Sequence, residues 1–186
     1  VGHSLGGVLV RVFAADSGPG AVSGFVFVDA SHPDLLKRDP MALRGPPEAL
    51  MTMMGALGVL RLMDEGSPDL PEDARRPVLA VGPGGGSTWL AEARAVAATF
   101  ARAATTGTLG ERPLVVLTAV DKPPERQALW RELQDDLAAL STNSDHRLIS
   151  DCGHYIHHER PDVVAEAVRD VVTAVREAAP LRRTPP

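Results

Sequence analysis

A glycine-rich segment at the start of the chain has the residues of a serine nucleophile. Gly2-His3-Ser4-Leu5-Gly6 fits the pattern G-x-S-x-G, and an apolar helical segment follows it directly. At a sharp strand-to-helix turn the serine hydroxyl stands clear of the sheet edge, and Gly2 and Gly6 are expected to avoid a Cβ clash with the turn. The pattern predicts Ser4 as the nucleophile and the Leu5 N–H, at the helix N-terminus, as an oxyanion-hole donor.

A serine nucleophile needs a histidine base, and the chain has six histidines. We predict His154, because it lies on a loop after the last predicted strand, at the carboxyl edge of the sheet where α/β sites form. The spacing His154-x-x-His157-His158 lacks a fourth ligand at a recognised distance, so we predict no metal site. The histidines other than His154 are assigned to the surface or to packing: His3, His32, His146, His157 and His158.

Two aspartates could orient this imidazole and stabilise its protonated form. Asp29 directly follows the apolar run FVFV, whereas Asp121 follows the run LVVLTA by two residues. Both positions bring a carboxylate to the same edge of a parallel sheet. The sequence leaves the choice between Asp29 and Asp121 open.

Short apolar runs separated by helical periodicity predict the elements that position these residues. Strands are expected at residues 25–28, from Leu114 through LVVLTA, and at 146–150. Between and after them we predict a helix near 126–140 and another that starts at Pro161. The alternation of strand and helix predicts an α/β fold with a parallel sheet.

The first helix is predicted to follow the serine turn, with Leu9, Val12 and Phe13 on one face. Residues 32–110 lack the alternation of strand and helix, and we interpret them as a helical insertion. Within it, one helix is expected from about Pro47 and another with Ser87 as N-cap.

The domain boundaries follow from these patterns. Residues 1–31 form the first part of the core, 32–110 a helical cap or lid, and 111–180 the C-terminal core. Residues 181–186 are expected to be a disordered tail.

Composition excludes several classes of protein. The 186 residues carry a net charge of −5, so no basic surface for nucleic acid is expected. One cysteine excludes an internal disulfide framework, and no apolar stretch is long enough to span a membrane. We expect a cytoplasmic protein whose partner is a small-molecule acyl substrate.

Taken together, the chain resembles the α/β-hydrolase superfamily of the serine hydrolase type. Four segments carry the resemblance: GHSLGG (2–7), FVFVDASHPD (25–34), PLVVLTAVD (113–121) and GHYIHHERPDVV (153–164). It implies Ser4 as nucleophile, His154 as base, an acid at Asp121 or Asp29, a cap over the site, and no cofactor. It also implies that the chain is the C-terminal portion of such an enzyme, beginning at the nucleophile elbow.

The expected function is hydrolysis of an ester or related acyl bond through an acyl-enzyme on the serine. The alternative is a truncated, catalytically inactive hydrolase fragment that acts at most as an interaction module. The oligomeric state cannot be predicted from the residues.

Overall fold

The computed structural model describes residues 1–18, 20–42, 47–56, 71–74, 86–120 and 124–182. The chain divides into two compact units, one formed by Val1–Arg38 with Thr99–Pro186 and the other by Asp39–Ala98. Residues 43–46, 57–70 and 75–85 of the predicted insertion at 32–110 lie outside the described residues, and the role of the insertion as a cap stays a prediction.

The first unit contains a parallel sheet. Its strands are β1 (Gly2–His3), β2 (Phe25–Val28), β3 (Leu114–Ala119) and β4 (Ser144–Ile149), and they neighbour one another in chain order. All three pairings are parallel. The predicted parallel α/β architecture is therefore confirmed, and because parallel strands end at one edge, residues that follow β1, β2 and β4 can meet there.

Helices lie between and after these strands in the chain. The described helices are α1 (Leu5–Asp16), α2 (Leu35–Arg38), α3 (Glu48–Ala56), α4 (Gly86–Ala104), α5 (Pro124–Ala138), α6 (Ile156–Glu159) and α7 (Pro161–Glu177). Ser87 lies inside α4 and is not its N-cap, because the helix begins one residue earlier. None of the helices in the described part of the chain is long and apolar enough to cross a membrane.

The central strands are buried on both faces, as their unbroken apolar sequence predicts. Every residue of β2 and β3 is buried. Because successive side chains point to opposite faces, Val26 and Val28 pack in the cluster that contains residues of α7, whereas Phe25 and Phe27 pack in the cluster that contains Ala14 of α1. The sheet is therefore the middle layer of three.

The buried face of α1 differs from the predicted one. Leu9 and Phe13 are 51% and 58% exposed, and the residues that α1 buries are Gly7, Val8, Arg11 and Ala14. Close approach explains the difference, since a Cβ on Gly7 would lie 2.5 Å from the Cβ of Ala30. The glycine face of the helix must therefore turn towards the sheet, so Leu9 and Phe13, which lie on another face, point outward.

The predicted disordered tail begins too early. Leu181 is buried, and its backbone N–H donates to Oδ1 of Asn143 at 2.8 Å. The apolar side chain and the bonded N–H hold this residue to the core. Residues 183–186 of the predicted tail lie outside the described residues.

Candidate active site

The turn after β1 holds Ser4 in a conformation that L-residues rarely adopt, with φ 51° and ψ −125°. Three backbone hydrogen bonds keep it there. The Ser4 N–H donates to the carbonyl of Val28 at 3.2 Å, and its carbonyl accepts from the N–H groups of Gly7 at 3.1 Å and Ser31 at 2.9 Å. A strained residue that its surroundings over-determine in this way is typical of functional sites, and a strand–turn–helix serine is the context that the G-x-S-x-G pattern requires.

The two elbow glycines have different environments. A Cβ on Gly2 would lie 2.7 Å from the backbone of Gly7, so only glycine fits. At Gly6, no described atom outside the adjacent residues and the backbone of the same helix lies within 4 Å of the Cβ position. The expected crowding is therefore found at Gly2 and is wrong at Gly6. The residue of α1 that lies against β1 and against Ala30, after β2, is Gly7.

The predicted oxyanion donor lies at the start of α1. This helix begins at Leu5, so the Leu5 N–H is one of the four N-terminal donors that have no acceptor within the helix. It directly follows the serine, at the positive end of the helix dipole. Such a group can donate to an oxyanion that forms on a carbonyl attacked by Ser4.

His154 and Asp29 are in direct contact at this edge of the sheet. The distance from His154 Nδ1 to Asp29 Oδ2 is 2.7 Å. The carboxylate side chain is fully buried, and the imidazole is 36% exposed. With Nδ1–H donating to the carboxylate, Nε2 is the ring nitrogen left to accept a proton, which is the tautomer that a general base needs.

The other oxygen of Asp29 accepts two further hydrogen bonds. Trp130 Nε1 donates to Oδ1 at 2.7 Å, and the backbone N–H of Ala119 donates to the same atom at 3.2 Å. The aspartate itself has φ 42°, and its N–H donates to the carbonyl of Leu117 at 2.7 Å. Asp121, the alternative acid, lies outside the described residues.

Three further histidines form a series of ring contacts that begins at His154. We use the name histidine cluster for His3, His154, His157 and His158. The Nε2 atom of His3 lies 2.9 Å from the carbonyl oxygen of His154, and the ring of His3 lies with its centroid 4.6 Å from His154 and 4.4 Å from His157. The rings of His157 and His158 are 4.2 Å apart, and the Nδ1 atoms of both are buried with no hydrogen-bond partner among the described residues.

Protonation of two members of this cluster, His3 and His157, is disfavoured. Burial, followed by the neighbouring histidines, lowers the pKa of His157 to about 4. Burial also lowers the pKa of His3 below its usual value, and the hydrogen bond with the His154 backbone only partly offsets this. Both imidazoles are therefore neutral at pH 7.

The sequence analysis missed the contacts of the cluster. We assigned His3 and His157 to packing, yet the ring of His3 contacts the predicted base and the ring of His157 contacts His3. The signals were present: His3 directly precedes the predicted nucleophile, and His157 follows the predicted base by three residues. Trp130 was missed as well, because nothing in the sequence of α5 marks an indole that reaches a carboxylate on another element.

The two remaining histidines have local structural contacts, as predicted. His32 Nδ1 accepts from the backbone N–H of Asp34 at 3.1 Å. His146 lies between Thr118 Oγ1 and Asp135 Oδ1, at 2.8 Å from each. In the described part of the chain, no group of three or more His, Cys, Asp or Glu side chains has the arrangement of a metal site.

Comparison with known proteins identifies the family. The profile of the alpha/beta hydrolase family matches residues 1–167. A curated relative, the uncharacterized protein YqjL of Bacillus subtilis (strain 168), is 34% identical over 76 residues, which cover 39% of this chain and 30% of that protein. The aligned region thus spans less than a third of this relative.

Two solved structures are similar to this chain over most of its length. A structure from work on carboxylesterases of the thaumarchaeon Nitrososphaera gargenis is 16% identical, with a TM-score of 0.51 and coverage of 96% of this chain and 65% of that one. MenH from S. aureus is 18% identical, with a TM-score of 0.49 and coverage of 94% of this chain and 67% of that one. With a family match over most of its length and the parallel sheet described above, the chain belongs to the alpha/beta hydrolase family.

Proposed function

We propose that this protein hydrolyses an ester or related acyl bond of a small molecule, with Ser4 as nucleophile, His154 as general base and Asp29 as the acid that orients it. The observation that carries the proposal is the 2.7 Å contact between His154 Nδ1 and the buried Asp29 Oδ2. It lies at the sheet edge where the strained backbone of Ser4 turns from β1 into α1.

In this mechanism Ser4 Oγ attacks the substrate carbonyl while His154 Nε2 takes the hydroxyl proton. Asp29 stabilises the imidazolium that forms, and the Leu5 N–H donates to the oxyanion of the tetrahedral intermediate. Collapse of the intermediate expels the alcohol, which takes the proton from His154. Water, activated by the same imidazole, then releases the acid from the acyl-enzyme.

The choice of Asp29 over Asp121 rests on the contacts of its two oxygens. Oδ2 faces the imidazole, whereas Oδ1 accepts from the indole of Trp130 and from the N–H of Ala119. A carboxylate that is buried and hydrogen-bonded through both oxygens is held in a fixed orientation, which is what the role requires.

A fluorophosphonate probe, which reacts with activated serines, tests the proposal on the complete gene product. We expect one label per protein, abolished by Ser4→Ala and strongly reduced by His154→Gln. Ser23→Ala, at an exposed serine, is the matched control and should label normally. Absence of labelling in a folded sample would favour the catalytically inactive protein considered above.

A further inference from the structure

The indole of Trp130 bonds to the oxygen of Asp29 that does not face the base. Trp130 Nε1 lies 2.7 Å from Oδ1, close to the distance expected when an N–H donates to a carboxylate. The Ala119 N–H donates to the same oxygen at 3.2 Å, and His154 Nδ1 lies 2.7 Å from Oδ2. The two oxygens of one carboxylate thus have separate partners.

This division determines the direction in which the carboxylate points. An aspartate carboxylate rotates broadly about its last torsion, so either oxygen could otherwise face the imidazole at varied angles. Trp130 has an N–H that only donates, and Ala119 offers a backbone N–H from β3. Two donors on Oδ1 hold the plane of the carboxylate, which leaves Oδ2 aimed at His154.

The helix that carries the indole is itself fixed to the chain after Asp29. Gln134, one turn beyond Trp130 on α5, donates from Nε2 to the carbonyl of Ala30 at 2.7 Å, and its side chain is fully buried. Two side chains of one helix therefore bond to two consecutive residues of the loop after β2. The position of the indole relative to Asp29 is set by this pair of contacts.

We infer that Trp130 is a positioning residue, which acts through Asp29 to keep the imidazole of His154 in the orientation needed for proton transfer. The inference rests on the proposed function, since it assumes that His154 is the base. Because Trp130 acts through its bond to Asp29, its loss should lower kcat and leave KM unchanged.

Trp130→Phe tests the inference because it keeps an aromatic ring and removes the N–H. Loss of a hydrogen bond to a charged group predicts a decrease in kcat of about 10- to 100-fold. In an Asp29→Asn background the same substitution should cost less than about 2-fold, because residues that act through each other are non-additive. For every variant, kcat is calculated per active site, and the number of active sites is the number that a fluorophosphonate labels.

Leu133→Val is the matched control. Leu133 is fully buried on the same helix, so a smaller side chain there lowers the unfolding temperature. The substitution keeps the hydrogen bonds from Trp130, Ala119 and His154 to Asp29. We expect kcat per labelled site to be unchanged. An unchanged kcat in Trp130→Phe, or an equal loss in both backgrounds, would overturn the positioning role, whereas absence of labelling in the wild type would refute the proposed function instead.

A spectroscopic measurement tests the contact without activity. In the ¹H–¹⁵N spectrum of the complete gene product, the indole signal that Trp130→Phe removes is that of Trp130. Asp29→Asn should shift that signal and speed its exchange with solvent. A signal that Asp29→Asn leaves in place would contradict the bond on which the inference rests.

Discussion

His154 Nδ1 lies 2.7 Å from Asp29 Oδ2, although 125 residues separate the two in the chain. The contact exists because Asp29 directly follows β2 and His154 lies in the loop after β4, and parallel strands end at the same edge. Removing the charge of the acid should impair the base far more than it impairs folding.

We predict that Asp29→Asn lowers kcat by roughly 10⁴, because an amide neither holds the imidazole tautomer nor stabilises the imidazolium. Steady-state hydrolysis of an activated ester by the complete gene product measures the effect. Asp121→Asn, the control at the other aspartate considered from the sequence, should change kcat little. If Asp121→Asn has the larger effect, Asp29 is not the acid.

The elbow glycines should differ in their tolerance of a side chain. Gly2→Ala places a Cβ 2.7 Å from the backbone of Gly7, and overpacking of this kind typically costs about 1–3 kcal/mol. Gly6→Ala meets no described atom within 4 Å outside the adjacent residues and the backbone of the same helix and should be neutral, or stabilising by up to about 1 kcal/mol through helix propensity. Thermal unfolding of the two variants gives the comparison, and equal destabilisation would mean that the turn is packed differently.

We predict that one residue of the histidine cluster, His157, makes the free energy of unfolding fall in acid. In the unfolded chain His157 titrates near 6.5, whereas burial and the neighbouring imidazoles lower its pKa in the folded protein to about 4. Between pH 6.5 and pH 4 the unfolded state therefore binds more protons than the folded state. The contribution of neutral His157 to the free energy of unfolding is fully present above pH 6.5 and is lost as the pH falls towards 4.

Urea unfolding of the wild type and of His157→Gln at about pH 7.5 and about pH 4.5 measures this contribution. The wild type should lose more stability than the variant, since glutamine does not titrate. His3 adds to the loss in the same direction, because its pKa is also lowered. Identical losses in both proteins would show that His157 titrates normally when folded.

A buried ion pair connects β4 with α7 and should matter for stability. Arg147 Nε lies 2.7 Å from Asp145 and its Nη2 lies 2.6 Å from Asp170, with the arginine side chain 9% exposed. Arg147→Leu leaves the buried carboxylate of Asp145 without this partner, a kind of change that costs about 3–5 kcal/mol. Chemical denaturation measures the loss.

The exposed pair of Arg160 with Asp162 provides the control. Arg160→Leu should change the denaturation midpoint little, because water screens exposed ion pairs. A loss as large as that of Arg147→Leu would contradict the burial argument.

Local sequence patterns were sufficient for much of the fold. The strands at Phe25–Val28 and from Leu114 are found as predicted. A continuous run of apolar residues is enough to indicate a strand that is buried on both faces. The buried face of α1 was not predictable in this way. The apolar periodicity of Leu9 and Phe13 was outweighed by the close approach at Gly7, which depends on another element.

The same limit applies to the candidate site. Ser4 and His154 stood in recognisable local patterns, whereas the choice between Asp29 and Asp121 depended on which carboxylate the folded chain brings to the imidazole. Trp130 reaches Asp29 from α5, 101 residues away in the chain. Contacts of this kind arise from tertiary structure and leave no periodicity or spacing to find.

Mass spectrometry of the trapped acyl-enzyme tests the central claim most directly. The complete gene product is mixed with a short-chain p-nitrophenyl ester, quenched in acid during the first turnover and digested. We predict an acyl group on the peptide that contains Ser4, and none in Ser4→Ala. Ester turnover by Ser4→Ala at the wild-type rate, or acylation of a different residue, would contradict the account.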